Sequence, residues 1–478
     1  LFTAFEGYLF LAAYGGFACL LGIVFSGRRK GTKNDFLLAD RSLKPLEAAF
    51  SIAATWIWAP ALFVAARLAY QKGFAGVFWF TVPNVLCLVL FAFFAERVRK
   101  RFPGGFTLSH YILSRTSRRV QALYWVELVG LALCSFAVQL LAGGKVIALL
   151  TGIPFSRVTL ILVLIVLAYS AFSGLKASVV TDLAQMGIIL AVLMLTVPWV
   201  LSAFDARQVL TAGWGGIKGT GGSLFSGSGP ETAFYFGIPV TIGLLAGPFG
   251  DQSFWQRAFA LPRNRVRKSF FLGAALFSLV PVATSLFGFI AAGLKLDVDN
   301  PELVNLEVVI RFLPAWAVAA FVVMLISGLT STLDSNLCAV SCIAGHDFQA
   351  ERSNASQAKL LRTCRGSMAA LALAALGIAN IPGIEILYLF LFYGTLRAST
   401  LLPTVICIVK KDVNERGMFW GILLSFFIGL PLFAYGNFLD VPVLSVAGSL
   451  ATVSISGIVT WLAASRSGVN IPAPARSS

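Results

Sequence analysis

The chain has 478 residues, 58% of them hydrophobic and only 12% charged, with a mean hydropathy of +0.84. Soluble domains carry about 45–50% apolar and about 25% charged residues, so a soluble enzyme and a disordered chain are both excluded. The net charge of +16 does not point to nucleic acid, because the basic residues cluster in short loops between apolar runs, where they orient helices in a bilayer. An integral, multi-pass membrane protein is expected, of the bacterial inner-membrane kind.

A spanning helix needs about 20 mostly apolar residues. Thirteen stretches meet that need, at roughly 3–26, 46–70, 74–97, 119–150, 157–173, 179–202, 232–257, 268–294, 307–345, 362–380, 384–409, 418–436 and 441–465. The first carries no cleavage-site pattern and reads as a true span. With the N-terminus outside and the C-terminus inside, 28 of the 37 Lys and Arg fall in the inner segments. The outer loop near 295–307 is instead acidic, with Asp297, Asp299, Glu302 and Glu307.

Between Asp205 and Glu231 lies a Gly-, Ser- and Thr-rich stretch that reads as an external loop. It lacks the GK[ST] ending and flanking strand of a phosphate cradle. The tail 471–478, IPAPARSS, reads as a linker or disordered end. Seven cysteines show no CxxC pair, and His110 and His346 are far apart in sequence, so neither a disulfide framework nor a metal cluster is expected.

Two spans contain breaks. SIAATWIWAP (51–60) ends in Pro60, which cannot donate the helical hydrogen bond at its position. LLAGPFGDQ (244–252) carries Gly247, Pro248 and Gly250. Interrupted helices in two halves of a membrane protein mark solute and ion sites, since freed backbone groups need partners. A proline kink is the simpler alternative at either break taken alone.

The ninth span holds SGLTSTLDSNLCAVSC (327–342), with Ser327, Ser331, Thr332, Asp334, Ser335 and Asn336 where a helix middle should be apolar. Hydroxyls at this spacing serve as packing glue between helices or as hard oxygen ligands for an alkali cation. Asp334 favours function, because a carboxylate inside a membrane is costly. Asp182 is a second such carboxylate, about one turn into the sixth span. Arg397, deep in the eleventh, is available to pair with Asp182 or Asp334 or to hold a substrate carboxylate. Arg67, Lys145 and Glu127 lie nearer helix ends, positions from which side chains snorkel.

The segments GLKASVVTDLAQ (174–185), GPFGDQSFWQRAFA (247–260) and SGLTSTLDSNLCAVS (327–341) resemble those of the sodium/solute symporter family of sodium-coupled sugar, proline, sialic acid, iodide and urea carriers. The resemblance implies an all-α, leucine-transporter-type fold with a five-plus-five inverted repeat, one helix before it and two after. On that pattern, residues 1–470 form one transporter domain. A leading helix and loop (1–45) precede a first repeat (46–202) and a second (232–409), and two trailing helices (418–465) follow. It also implies a sodium site made by the carbonyls of Ala54, Ile57 and Gly328 and the hydroxyls of Ser331 and Thr332. A second cation position is implied near Asp182, Asp334 and Ser335, as in members similar to sialic acid carriers.

Two departures bear on the solute. Trp58 stands where some relatives carry a serine, and Gly247 where the sugar-carrying branch has a gating tyrosine, which argues against a sugar. The second and third spans look most like the urea-permease branch, with a Trp-x-Trp-Ala helix and a Gly-x-Phe-Trp entry to the next span. The resemblance implies uptake of a small polar solute with sodium, leaning towards urea or a small amide, with an amino acid or carboxylate next. Residues expected at the solute are Trp56 and Trp58 at the first break, Phe249, Asp251 and Gln252 at the second, and Arg397. Sodium is the only cofactor expected, as a transported ion. The partners are that ion, the solute and the lipid bilayer. A proton-coupled carrier and a transporter-like sensor domain are the alternatives; no nucleophile–base pairing supports an enzyme.

Overall fold

The computed structural model describes residues 2–25, 32–348 and 357–464; the tail 471–478 and parts of the basic segments 27–47 and 346–366 lie outside it. Every regular element among the described residues is helical. In chain order the principal helices are α1 (Ala4–Phe25), α2 (Pro45–Trp56), α3 (Ala65–Arg101), α4 (Leu108–Leu113), α5 (Arg118–Thr151), α6 (Phe155–Ser202), α7 (Ile238–Leu245), α8 (Gln252–Ala260), α9 (Val266–Gly293), α10 (Ala315–Cys342), α11 (Gln357–Ala379), α12 (Ile386–Val409), α13 (Glu415–Leu424), α14 (Leu430–Phe438) and α15 (Pro442–Ala464).

Ten helices among the described residues are long and apolar enough to cross a membrane, and this is a multi-pass membrane protein. The difference from thirteen expected stretches has a physical cause. The stretch 232–257 is cut into short pieces around 246–251, and Phe155–Ala171 is 17 residues long. The stretches 46–70 and 74–97 join without a gap in helical assignment. The 48 residues of α6 would reach about 72 Å at 1.5 Å per residue, more than twice a hydrocarbon core of about 30 Å. The chain turns inside it at Gly174 (φ +60°, ψ −168°) and inside α3 at Gly73 (φ +61°, ψ −152°).

At Gly73 the lost helical bonds are replaced by the glycine-rich stretch after α6. Phe74 N donates to Trp214 O (3.0 Å), Ala75 N to Gly221 O (2.9 Å) and Ile217 N to Tyr70 O (2.7 Å). Trp214 stacks between Phe74 and Phe289, at centroid separations of 4.8 and 5.2 Å. Small residues are needed because two backbones touch: a Cβ on Gly73 would lie 2.5 Å from Gly215 C and 2.6 Å from Trp214 O. Gly73→Ala is therefore expected to cost about 1–3 kcal/mol from the left-handed backbone alone. Limited proteolysis should then find cleavage in 214–228 that the wild type resists; equal resistance would contradict the strap.

Long helices pack side by side around the breaks, with α9 along α2 and α3, and α10 along α5 and α6. Arg67 and Lys145 do not snorkel alone. Glu302 sits between them, 3.6 Å from Arg67 Nη1 and 2.6 Å from Lys145 Nζ, and Glu385 lies 3.6 Å from Arg67 Nη1.

Candidate functional site

The first break frees carbonyls toward α10. Helix α2 stops at Trp56, Ile57 leaves the helical region (φ −84°, ψ +77°), and a π turn over Pro60–Val64 restarts the chain. Pro60 has no N–H for the carbonyl of Trp56. The amide of Ala59 is drawn away to Gln139 Oε1 (2.7 Å), and that of Ala61 turns to Trp58 O (2.9 Å). The carbonyls of Thr55, Trp56 and Ile57 thus lose their i+4 partners, and buried carbonyls require replacements. Thr332 Oγ1 donates to Thr55 O (3.2 Å). Gly328 comes close enough that a Cβ there would lie 3.3 Å from Ile57 O and 2.9 Å from Leu62 Cδ1.

Thr332 Oγ1 lies between Thr55 O and Gly328 O (3.4 Å), beside the freed carbonyl of Ile57, and oxygens of this kind are ones an alkali cation takes. Ala54 lies one turn before Ile57 and its carbonyl accepts from Ile57 N (3.2 Å). Ser331 is turned elsewhere, with its hydroxyl donating to Asp182 Oδ1. Gln139, which serves the break from α5, was not singled out in the sequence; a lone glutamine amid apolar residues was the available signal.

The partner of Asp182 is Arg257, not Arg397. Arg257 Nη2 lies 3.0 Å from Asp182 Oδ2, and both side chains are 0% exposed. The same guanidinium donates to Ser335 Oγ (2.8 Å), to Ser51 Oγ (2.8 Å) and to Ser253 O (3.1 Å). Ser51 Oγ in turn donates to Asp182 Oδ2 (2.5 Å). Arg257 looks like the first basic residue of a loop, yet it follows the 246–251 break by only six residues and so rides on buried α8. The Arg257 guanidinium thus lies between Asp182 and Ser335, two of the three residues near which the resemblance implies a second cation. Asp334 stands apart, accepting from Ser170 Oγ (3.2 Å) and Thr181 Oγ1 (3.4 Å).

The two tryptophans build an aromatic cluster at the same level. Trp56 and Trp58 stack at 5.1 Å and 22°. The guanidinium carbon of Arg397 lies 5.5 and 5.4 Å from their ring centroids and 5.1 Å from that of Tyr393. Cation–π attraction of this kind is worth about 2 kcal/mol when desolvated. Arg397 Nε donates to Gly243 O (2.8 Å), and its Nη2 has no partner among the described residues.

Around the second break, Phe249 meets Phe91 and Phe94 edge-on, each at 5.3 Å, and Asp251 caps α8 through Ser253 N (2.8 Å). Gln252 faces away from the tryptophans, accepting from Leu108 N (3.0 Å) and donating to Phe106 O (3.1 Å). Of the six expected solute residues, Trp56, Trp58 and Arg397 come together, Phe249 and Asp251 border the break, and Gln252 holds α4. Glu127 belongs to this region too. It is no helix-end residue: it is fully buried, nine residues into α5, with both carboxylate oxygens unpartnered among the described residues.

Comparisons with known proteins place the chain in a family. The profile of the sodium:solute symporter family matches residues 36–425. The chain belongs to that family. A probable urea active transporter of Schizosaccharomyces pombe is 26% identical over 86% of this chain and 67% of its own length. The urea-proton symporter DUR3 of rice is 23% identical over 96% and 70%, and the sodium/pantothenate symporter of Escherichia coli 24% identical over 94% of each. The chain spans 56–70% of the length of the urea transporters it matches.

A sodium-coupled sialic acid symporter, solved substrate-bound and outward-open, superposes with a TM-score of 0.74 at 15% identity, over 95% of this chain and 98% of that one. The nucleobase-cation symporter Mhp1 in a closed conformation gives 0.59 at 16% identity, over 90% and 94%. The chain shares the leucine-transporter-type fold of these carriers.

Proposed function

We propose that this protein is a sodium-coupled symporter that takes up urea or a similarly small amide by alternating access. Thirteen crossings, with the N-terminus outside and the C-terminus inside, form its path through a cell membrane of the bacterial inner-membrane kind. Residues 46–202 and 232–409 act as inverted repeats within a single transporter domain.

One observation carries the reading: the carbonyls freed at 55–57 face Gly328 and Thr332, beside the stacked Trp56 and Trp58. Sodium bound by Ala54, Ile57, Gly328, Thr332 and a reoriented Ser331 ties α2 to α10 and fixes the break in a solute-competent form. An ion drives accumulation only by preferring one conformation, and this corner joins two elements whose separation would dismantle it. The solute sits against the tryptophan faces and Arg397, with Phe249 and Asp251 at its inner edge. Urea transporters among the relatives support a planar amide.

The test is uptake of labelled urea into proteoliposomes under an inward sodium gradient, with potassium and proton gradients as comparisons. Uptake that follows sodium supports the reading, and uptake that follows only protons would replace it by coupling through buried Asp334. Thr332→Ala is expected to raise the half-saturating sodium concentration roughly tenfold, the worth of about 1.4 kcal/mol from one lost ligand. Unchanged sodium dependence would remove Thr332 from the site.

A further inference from the structure

The aromatic cluster has a second pole in Glu127. A carboxylate wholly removed from water is stable only with hydrogen-bond donors or an opposite charge at its oxygens. Among the described residues, neither oxygen of Glu127 has a hydrogen-bond donor. Its charged neighbours are Asp251 and Arg397.

Gly250 joins the two poles. A Cβ on that glycine would run into Glu127 Oε1 on one side and lie 2.7 Å from Arg397 Cβ on the other. The carboxylate and the arginine stem therefore flank the same point of the second break. Three buried polar atoms of the aromatic cluster also lack partners among the described residues: Arg397 Nη2, Tyr393 Oη and Trp58 Nε1. All three are donors, whereas the two oxygens of Glu127 only accept.

We propose that Glu127 is a solute-binding residue whose carboxylate accepts N–H bonds from the transported molecule, while Arg397, Tyr393 and Trp58 donate to that molecule's carbonyl. This rests on the symporter function proposed above and specifies its substrate class. The solute carries at least two N–H groups on one side and an acceptor on the other, and is thin enough to lie along tryptophan faces. Urea and primary amides meet these terms. A simple carboxylate does not, because it would face Glu127 and Asp251. An ammonium group supplies the same N–H chemistry, so a zwitterion such as glycine is the other source to separate.

The test measures competition against labelled urea uptake by the full chain in proteoliposomes under a sodium gradient. Competitors are urea, N,N′-dimethylurea, tetramethylurea, acetamide and glycine, applied to the wild type and to Glu127→Gln. Hydrogen bonds to a charged group contribute about 1.5–3 kcal/mol, so the variant should bind urea and acetamide roughly 10- to 100-fold more weakly. Tetramethylurea, which has no N–H, should compete equally with both proteins, so the preference for urea collapses.

Unchanged urea affinity in the variant overturns the inference. So does a variant that alters only the pH dependence of uptake, which would make Glu127 a proton site. The wild type tests the function separately: if glycine and no amide is carried, the amide reading fails, while weaker glycine binding in the variant still supports Glu127. If nothing containing N–H is carried, both fail. Sodium-dependent thermal stability shows whether the variant is folded. Should it not be, Glu127→Asp keeps the charge and is expected to retain the preference for urea over tetramethylurea; loss of that preference counts against the inference.

Discussion

Replacing Arg257 with alanine is expected to destabilise the protein by about 3–5 kcal/mol, the penalty for leaving a buried carboxylate without its cation. The pair is 3.0 Å long and wholly buried, and it also binds Ser51 and Ser335, so the loss reaches α2, α6, α8 and α10 together. Denaturation of the detergent-solubilised protein would measure the effect. Combining Arg257→Met with Asp182→Leu should recover much of the loss, because paired removal of a buried ion pair is often neutral. A single variant as stable as the wild type would show that the pair does not hold these helices. A second monovalent cation at this place would have to displace a tethered guanidinium, so Arg257 bears on how many ions accompany each solute.

Gly247→Ala is expected to reduce uptake at least tenfold while leaving the protein folded. The new methyl group would collide with Trp56 Cη2 and come within 3.1 Å of its Cζ2 and 2.8 Å of Leu244 O. Trp56 is itself fixed by stacking on Trp58 and by its indole N–H bond to Asn84 O (3.2 Å). The displaced ring must disturb the Arg397 cluster, and errors of about 1 Å in a binding geometry cost roughly 100-fold. Trp56→Phe in the same background removes the colliding ring edge and should restore part of the rate. Failure of that rescue, with each protein folded, would place the defect elsewhere.

Much of this architecture is legible in the sequence because the bilayer restricts the choices. Apolar runs must be helices, and Pro60 and the Gly247–Gly250 segment mark where two of them break. The hydroxyls of 327–335 stand out against apolar surroundings for the same reason. What stays hidden is which buried polar groups meet. Arg257 has the look of the start of a basic loop and Arg397 that of a lone charge in an apolar span, yet the first is locked in a buried ion pair and the second lies over aromatic rings. Glu127 has the look of a helix-end residue because hydropathy averages over a window and does not register which face of α5 turns inward. Gln139 stands out as a lone glutamine amid apolar residues, but its role stays hidden because it depends on an amide 80 residues earlier in the chain.

That glutamine has a mechanical consequence. The second half of the broken helix begins at a backbone amide held by a side chain of α5, so it is hinged to its neighbour by one bond of 2.7 Å. A half-helix tethered in this way cannot tilt freely: each tilt either drags α5 with it or hands the amide to water. Exchange of the Ala59 amide proton with solvent thus becomes a clock for the transport cycle, running only when the tether lets go.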